Sequence, residues 1–185
     1  NDAFGHKEGL TTIYNHHEQA CAIAAEGYAR LTGKVALVCV TSGPGGTNAI
    51  TGVLGGWQDS IPMFVVSGQV KRETTTAYTG ATVRQLGDQE YQIVESVRPM
   101  TKYAVMITDP NSIRYHLEKA WYLCNHGRKG PVWLDVPVDV QGCLIDTDNL
   151  KGFDESECAK ETPQYDTGLT EQILKRLGEA QRPVI

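Results

Sequence analysis

Glu18 stands directly behind His16 and His17 in the stretch YNHHEQACAIAAEGYARLTG, residues 14–33, at the head of an alanine-rich helical pattern. Two roles compete for its carboxyl group. Asn15 is a good N-cap, and a Glu three residues later closes a capping box with it; the helix dipole also favours an acid in the first turn. Alternatively, the carboxyl group does acid–base work in a pocket. Metal ligation fits poorly, because neighbouring side chains diverge on a helix and the His and Cys residues fall at no ligand spacing. We expect no metal site within this chain.

The second constellation is TSGPGGTN, residues 41–48, between an apolar run and another helical pattern. Glycines there let backbone N–H groups approach a ligand, and a helix N-terminus favours anions. The stretch fails the dinucleotide fingerprint, because Asn48 stands where the last glycine belongs, and it lacks the Lys-Ser/Thr of a P-loop. A tight turn that merely needs glycine is the competing reading. His6, His116 and His126 receive no role, although His126 lies where a cation suits the end of a helix. Trp57, Trp121 and Trp133 are expected in the core.

The elements that must position these residues alternate. Residues 16–31 read as a helix packed through Ala20, Ala24, Ala25 and Tyr28, with Gly33 as its stop. Residues 35–41 read as a strand buried on both faces, 47–57 as a helix and 63–68 as a second buried strand. Residues 69–88 are polar, threonine-rich and without periodicity, the mark of a functional or mobile segment. Then follow a short helix (QEYQIVESV), a strand (KYAVMI), a helix from Asp109 and Pro110 to Gly127, and a strand (PVWLDVP). Strands separated by helices imply parallel crossovers, so the expected class is α/β, a parallel sheet with helices on both faces. One domain covers 1–146, lacking a first strand; 147–166 read as a charged linker; 167–185, with RPVI opening a strand, begin a further domain. Both ends look clipped, so a fragment of a longer protein is expected.

The composition is that of a globular chain, 41% hydrophobic and 21% charged. A net charge of −5 argues against a nucleic-acid surface, and no 18-residue apolar run could span a membrane. Five cysteines without framework spacing point to the cytoplasm. Cys21 and Cys39, inside apolar runs, are expected to act as small hydrophobes.

From Asn15 to Val140 the chain resembles the pyrimidine-binding domain of thiamine-diphosphate enzymes of the acetolactate synthase group. Five stretches carry the resemblance in order: HHEQACAIAAEGYARLTGK, TSGPGGTNAITGV, SIPMFVVSGQV, DQEYQIVESVRPMTKYAV and GRKGPVWLDVPVDVQ. It implies the α/β fold already derived and a specific task for Glu18. That carboxyl group would hydrogen-bond the ring nitrogen of the cofactor's aminopyrimidine and so activate it, its pKa raised by an apolar pocket. Pro44 and Asn48 would line the pyrimidine pocket, holding a flat ring rather than a phosphate. Gln89 would be the active-site glutamine on the substrate side.

The resemblance further implies a 2-keto-acid decarboxylase or carboligase, with thiamine diphosphate as cofactor and Mg²⁺ held by a later domain. The family's Gly-Asp-Gly motif has only Gly87-Asp88-Gln89 as its nearest string here. Active sites shared between subunits imply a homo-oligomer, dimer or tetramer, with Ala24, Gly27, Gly52, Gly55 and Gly56 suited to close packing at its interface. The isolated chain is expected to be inactive. Asp88 replaces the family's Phe, Lys71 stands where proline is usual, and the segment 72–87 is longer. Two alternatives follow: a carboligase for a 2-keto acid other than pyruvate, or a non-catalytic regulatory or assembly homologue.

Overall fold

The computed structural model describes residues 2–158 and 166–184. The chain divides into two compact units, one up to Glu155 and one from Ser156 on. In chain order the first unit runs α1 (Asp2–His6), α2 (Glu18–Thr32), β1 (Ala36–Val40), α3 (Pro44–Gln58), β2 (Met63–Gln69), α4 (Thr76–Thr79), α5 (Ile93–Val97), β3 (Tyr103–Met106), α6 (Ile113–Asn125), β4 (Val132–Pro137) and α7 (Val138–Gln141). The second unit carries α8 (Thr167–Glu179), capped by Asp166, whose carboxylate accepts the Gly168 and Leu169 N–H groups. Arg182–Val184 form no strand, contrary to expectation, and Ile185 lies outside the described residues.

The four strands form one parallel sheet in the order β1-β2-β4-β3. Met63 pairs with Ala36, and Phe64 with Val132. One face packs Val38, Val40, Val65 and Trp133 against Ala22, Ala25 and Ala29 of α2, Ala49 and Val53 of α3, and Ile93 and Val97 of α5. The other packs Phe64, Val132 and Leu134 against Ala120 and Cys124 of α6 and Val140 of α7. The sheet is therefore covered by helices on both faces, the α/β class expected. Central β4 is covered on both faces for this reason: Val132, Trp133 and Leu134 are all fully buried. Cys124 is also fully buried, its thiol on the Met63 carbonyl at 3.6 Å, and burial pushes its pKa to about 11.

Several expectations fail where a one-dimensional pattern cannot see which face is covered. Edge strand β1 is buried on one side only: Leu37 and Cys39 face outward and are exposed. Of the tryptophans, Trp133 is core, but Trp57 and Trp121 are exposed. The packing face of α2 is Ala22, Ala25 and Ala29, whereas Ala20 and Ala24 are exposed. Gly52 is used within the chain rather than at a subunit contact. A Cβ there would sit 2.6 Å from Ala22 Cβ and 2.7 Å from Ile23 N, so only glycine lets the backbones of α2 and α3 approach.

The polar stretch 69–88 has local order built from its threonines. Thr75 caps α4 by accepting the Tyr78 N–H, and Gly80 closes it in the left-handed conformation. Arg72 ties the stretch down through Asp139, with Nε to Oδ2 at 2.7 Å. The expected linker begins on the first unit, where the Phe153 N–H reaches Glu118 Oε2 at 2.8 Å. Its residues 159–165 lie outside the described residues.

Candidate functional site

Strand β1 ends at Val40, and the chain turns through Gly43 directly into α3 at the carboxyl edge of the sheet. In open α/β sheets that edge is where ligands bind. The turn is shorter than the sequence implies, because Pro44, Gly45 and Gly46 already belong to α3. Proline suits a first helical position, where no N–H partner is missed. Gly43 takes φ +53°, and a Cβ there would lie 2.2 Å from the Gln89 carbonyl oxygen.

The N-terminus of α2 lies beside that of α3. Its cap is His17, whose Nδ1 accepts the Gln19 N–H at 3.1 Å, so Asn15 is not the cap. The capping box expected between Asn15 and Glu18 is not what the Glu18 carboxylate makes. Its Oε2 instead accepts the side-chain amide of Asn48 at 3.1 Å. A Cβ on Gly45 would sit 2.6 Å from Thr41 Cγ2 and at ordinary contact distance, 3.5 Å, from Glu18 Oε1, so glycine here lets the head of α3 pack against the end of β1 beside the carboxylate.

The electrostatics reverse an expectation. Glu18 is held below the usual carboxylate range, first by its own backbone N–H, then by the Asn48 amide; burial opposes this, and His17 adds slightly. An apolar pocket would have raised it, but here the half-buried carboxylate meets two donors.

The four predicted site residues thus fall at one edge. Glu18 and Asn48 are hydrogen-bonded, Pro44 opens α3, and the Gln89 backbone lies against Gly43. Pro44, Asn48 and Gln89 are exposed. Gln89 has the left-handed φ of 58°, unusual for a residue with a side chain. Sequence reasoning did not single out Glu90, 7% exposed, or the buried trio Ser67, Gln69 and Asp135 behind it. Asp135 accepts Ser67 Oγ at 2.6 Å and Gln69 Nε2 at 2.9 Å, and burial pushes its pKa up to about 6 against those bonds. A lone acid inside an apolar strand, as in PVWLDVP, is the signal that could have found it.

The Glu18 carboxylate, with the Asn48 amide beside it, offers an acceptor and a donor suited to the edge of a planar aromatic base bearing ring nitrogens. A divalent ion finds no such fit here: among the described residues no group of three or more His, Cys, Asp or Glu could hold a metal.

The family profile described as "Thiamine pyrophosphate enzyme, N-terminal TPP binding domain" matches residues 1–92, the segment carrying Glu18, Pro44, Asn48 and Gln89. Named relatives agree. The chain is 35% identical over 189 residues to the acetolactate synthase large subunit of Lactococcus lactis, covering 100% of this chain and 30% of that protein. It is 41% identical over 138 residues to the large subunit of Haemophilus influenzae, covering 75% of this chain and 23% of that one. It is 36% identical over 184 residues to acetolactate synthase 1, chloroplastic, of Oryza sativa, covering 94% and 26%. The chain belongs to the thiamine pyrophosphate enzymes, as an N-terminal cofactor-binding domain of the acetolactate synthase type. It spans less than a third of the length of these relatives.

Proposed function

We propose that Glu18 is the group that activates thiamine diphosphate in a longer enzyme that decarboxylates a 2-keto acid and joins the product to an acceptor. The observation that carries this is the Glu18–Asn48 pair at 3.1 Å, beside the glycine turn at the carboxyl edge of the sheet. When bound, the cofactor supplies an electron sink for the carbanion left by decarboxylation. The chain's own residues act on its pyrimidine end. Glu18 accepts a hydrogen bond from, or shares a proton with, a ring nitrogen; Asn48, now occupying that carboxylate, turns to the ring edge; Pro44 packs its flat face. Gln89 works on the substrate side. Closing the site over Glu18 removes water and raises its affinity for a proton from the low value of the open carboxylate.

The remaining assignments belong to the parent protein. Mg²⁺ and the pyrophosphate are held by a later domain, and residues 1–146, 147–166 and 167–185 serve as cofactor domain, linker and start of a central domain. Exposed Ile23, Tyr28, Leu31 and Leu54 on α2 and α3 support a homo-oligomer, dimer or tetramer, with shared sites. Cysteines without framework spacing support the cytoplasm. No described helix is long and apolar enough to cross a membrane.

The test is Glu18→Gln in the full-length parent. Turnover of a 2-keto acid is expected to fall by ~100-fold or more, with thiamine diphosphate still bound by calorimetry. Exchange of the thiazolium C–H proton with solvent should slow in parallel. Wild-type exchange in that variant would sink the assignment.

A further inference from the structure

Behind the exposed Gln89 lies a buried carboxylate that the proposed chemistry does not use. Glu90 Oε1 accepts the Thr76 N–H and the Thr76 hydroxyl, both at 2.6 Å, and Oε2 accepts the Leu86 N–H at 2.8 Å. Thr76 Oγ1 in turn accepts Gln92 Nε2 at 2.9 Å, and the Glu90 N–H closes a turn on the Gly87 carbonyl at 3.2 Å. The carboxylate's three donors, the Thr76 N–H, the Thr76 hydroxyl and the Leu86 N–H, are neutral and come from the polar stretch. Burial pushes the Glu90 carboxyl up, but the Thr76, Leu86 and Gly87 bonds together outweigh it and hold the group below the usual range. Gln69 Nε2 anchors the next residue by donating to the Tyr91 carbonyl at 2.9 Å.

Gln89 is therefore clamped from its C-terminal side by two buried anchors, while its own carbonyl rests on Gly43. Its left-handed backbone costs energy for a residue with a side chain, and it persists only where surroundings dictate it. Since Gly43 leads into the helix that bears Asn48, the clamp fixes the spacing between Gln89 and the Glu18–Asn48 pair.

We propose that Glu90 is a positioning residue: its carboxylate gathers Thr76 and Leu86 to hold Gln89 against Gly43 at the substrate side of the site. This rests on the reading of Gln89 and Glu18 given above. A neutral amide cannot replace it. Glu90→Gln turns one acceptor into an N–H₂ facing the Thr76 or Leu86 N–H, without changing size.

The experiment uses the full-length parent with Glu90→Gln and, as a milder second variant, Thr76→Val, which removes one donor and keeps the backbone. Backbone amide exchange across residues 75–92, read without cofactor, is expected to quicken at Thr76 and Leu86. kcat/KM for the 2-keto acid should fall by ~10–100-fold in Glu90→Gln, mainly through KM, and less in Thr76→Val. Cofactor affinity and thiazolium C–H exchange should stay at wild-type values, because neither variant touches Glu18. A parallel loss of C–H exchange would reveal general damage and overturn the proposal. So would unchanged amide exchange or unchanged kcat/KM in both variants. Failure of the Glu18 reading shows instead as wild-type C–H exchange in Glu18→Gln, a result that leaves the Glu90 signature as it is.

Discussion

Asp135 carries the sharpest pH consequence of any single residue. It is 1% exposed, and its carboxyl is pushed up to about 6 from 3.8. A folded value above the unfolded one means the protonated acid is the form that the fold prefers. The stability it contributes is complete below about 3.8 and is lost as pH rises through about 6. The gap corresponds to ~3 kcal/mol. Asp135→Asn is expected to flatten the stability profile of the parent between pH 4 and pH 8 by about that amount. Urea unfolding at the two pH values checks this; identical profiles for the two proteins would refute it. Glu18 behaves oppositely. Its lowered carboxyl contributes stability above the unfolded value, lost as pH falls through the folded one, and the effect is small because the group is half-exposed.

Elements are where the sequence was most and least informative. β4 was readable as an apolar run despite Asp135, and the run after Asp109 was readable as helical. Pro110 nevertheless opens a separate short turn (Pro110–Ser112), α6 itself starts at Ile113, and His126 rather than Gly127 caps its end. β1 has the same composition as a buried strand, yet its edge position leaves Leu37 and Cys39 exposed, and nothing in ALVCV encodes neighbours. Pro44, Gly45 and Gly46 read as a loop, because three weak helix formers do so in isolation. Tertiary contact overrides that: α3 needs glycine at Gly52 to lie on Ala22. Gly52→Ala is therefore expected to destabilise by ~1–3 kcal/mol despite alanine's better helix propensity. A lowered denaturation midpoint would show it, and an unchanged one would disprove the close approach. The site was legible only through the family's motifs. Glu18 and Asn48 are far apart in sequence, and no spacing rule predicts their hydrogen bond. The direction of the Glu18 shift depends on donors that only the folded chain supplies.

At the scale of the whole molecule, the proposed function implies that the chain holds one half of a site. The 185-residue chain made alone is expected to release no CO₂ from pyruvate or another 2-keto acid with thiamine diphosphate and Mg²⁺ present. The parent is expected to do so as a dimer or tetramer by sedimentation; turnover by the short chain would contradict the shared-site reading.

Cys124 offers a clock for the molecule's breathing. Alkylating reagents attack thiolates, and this thiol is both sealed between α6 and β2 and raised to about 11. In the native state it reacts only when that face of the sheet opens. Cys143, exposed near the end of α7, reacts without such an event. The ratio of the two labelling rates, read by peptide mass, times how often the sheet and α6 part company under native conditions.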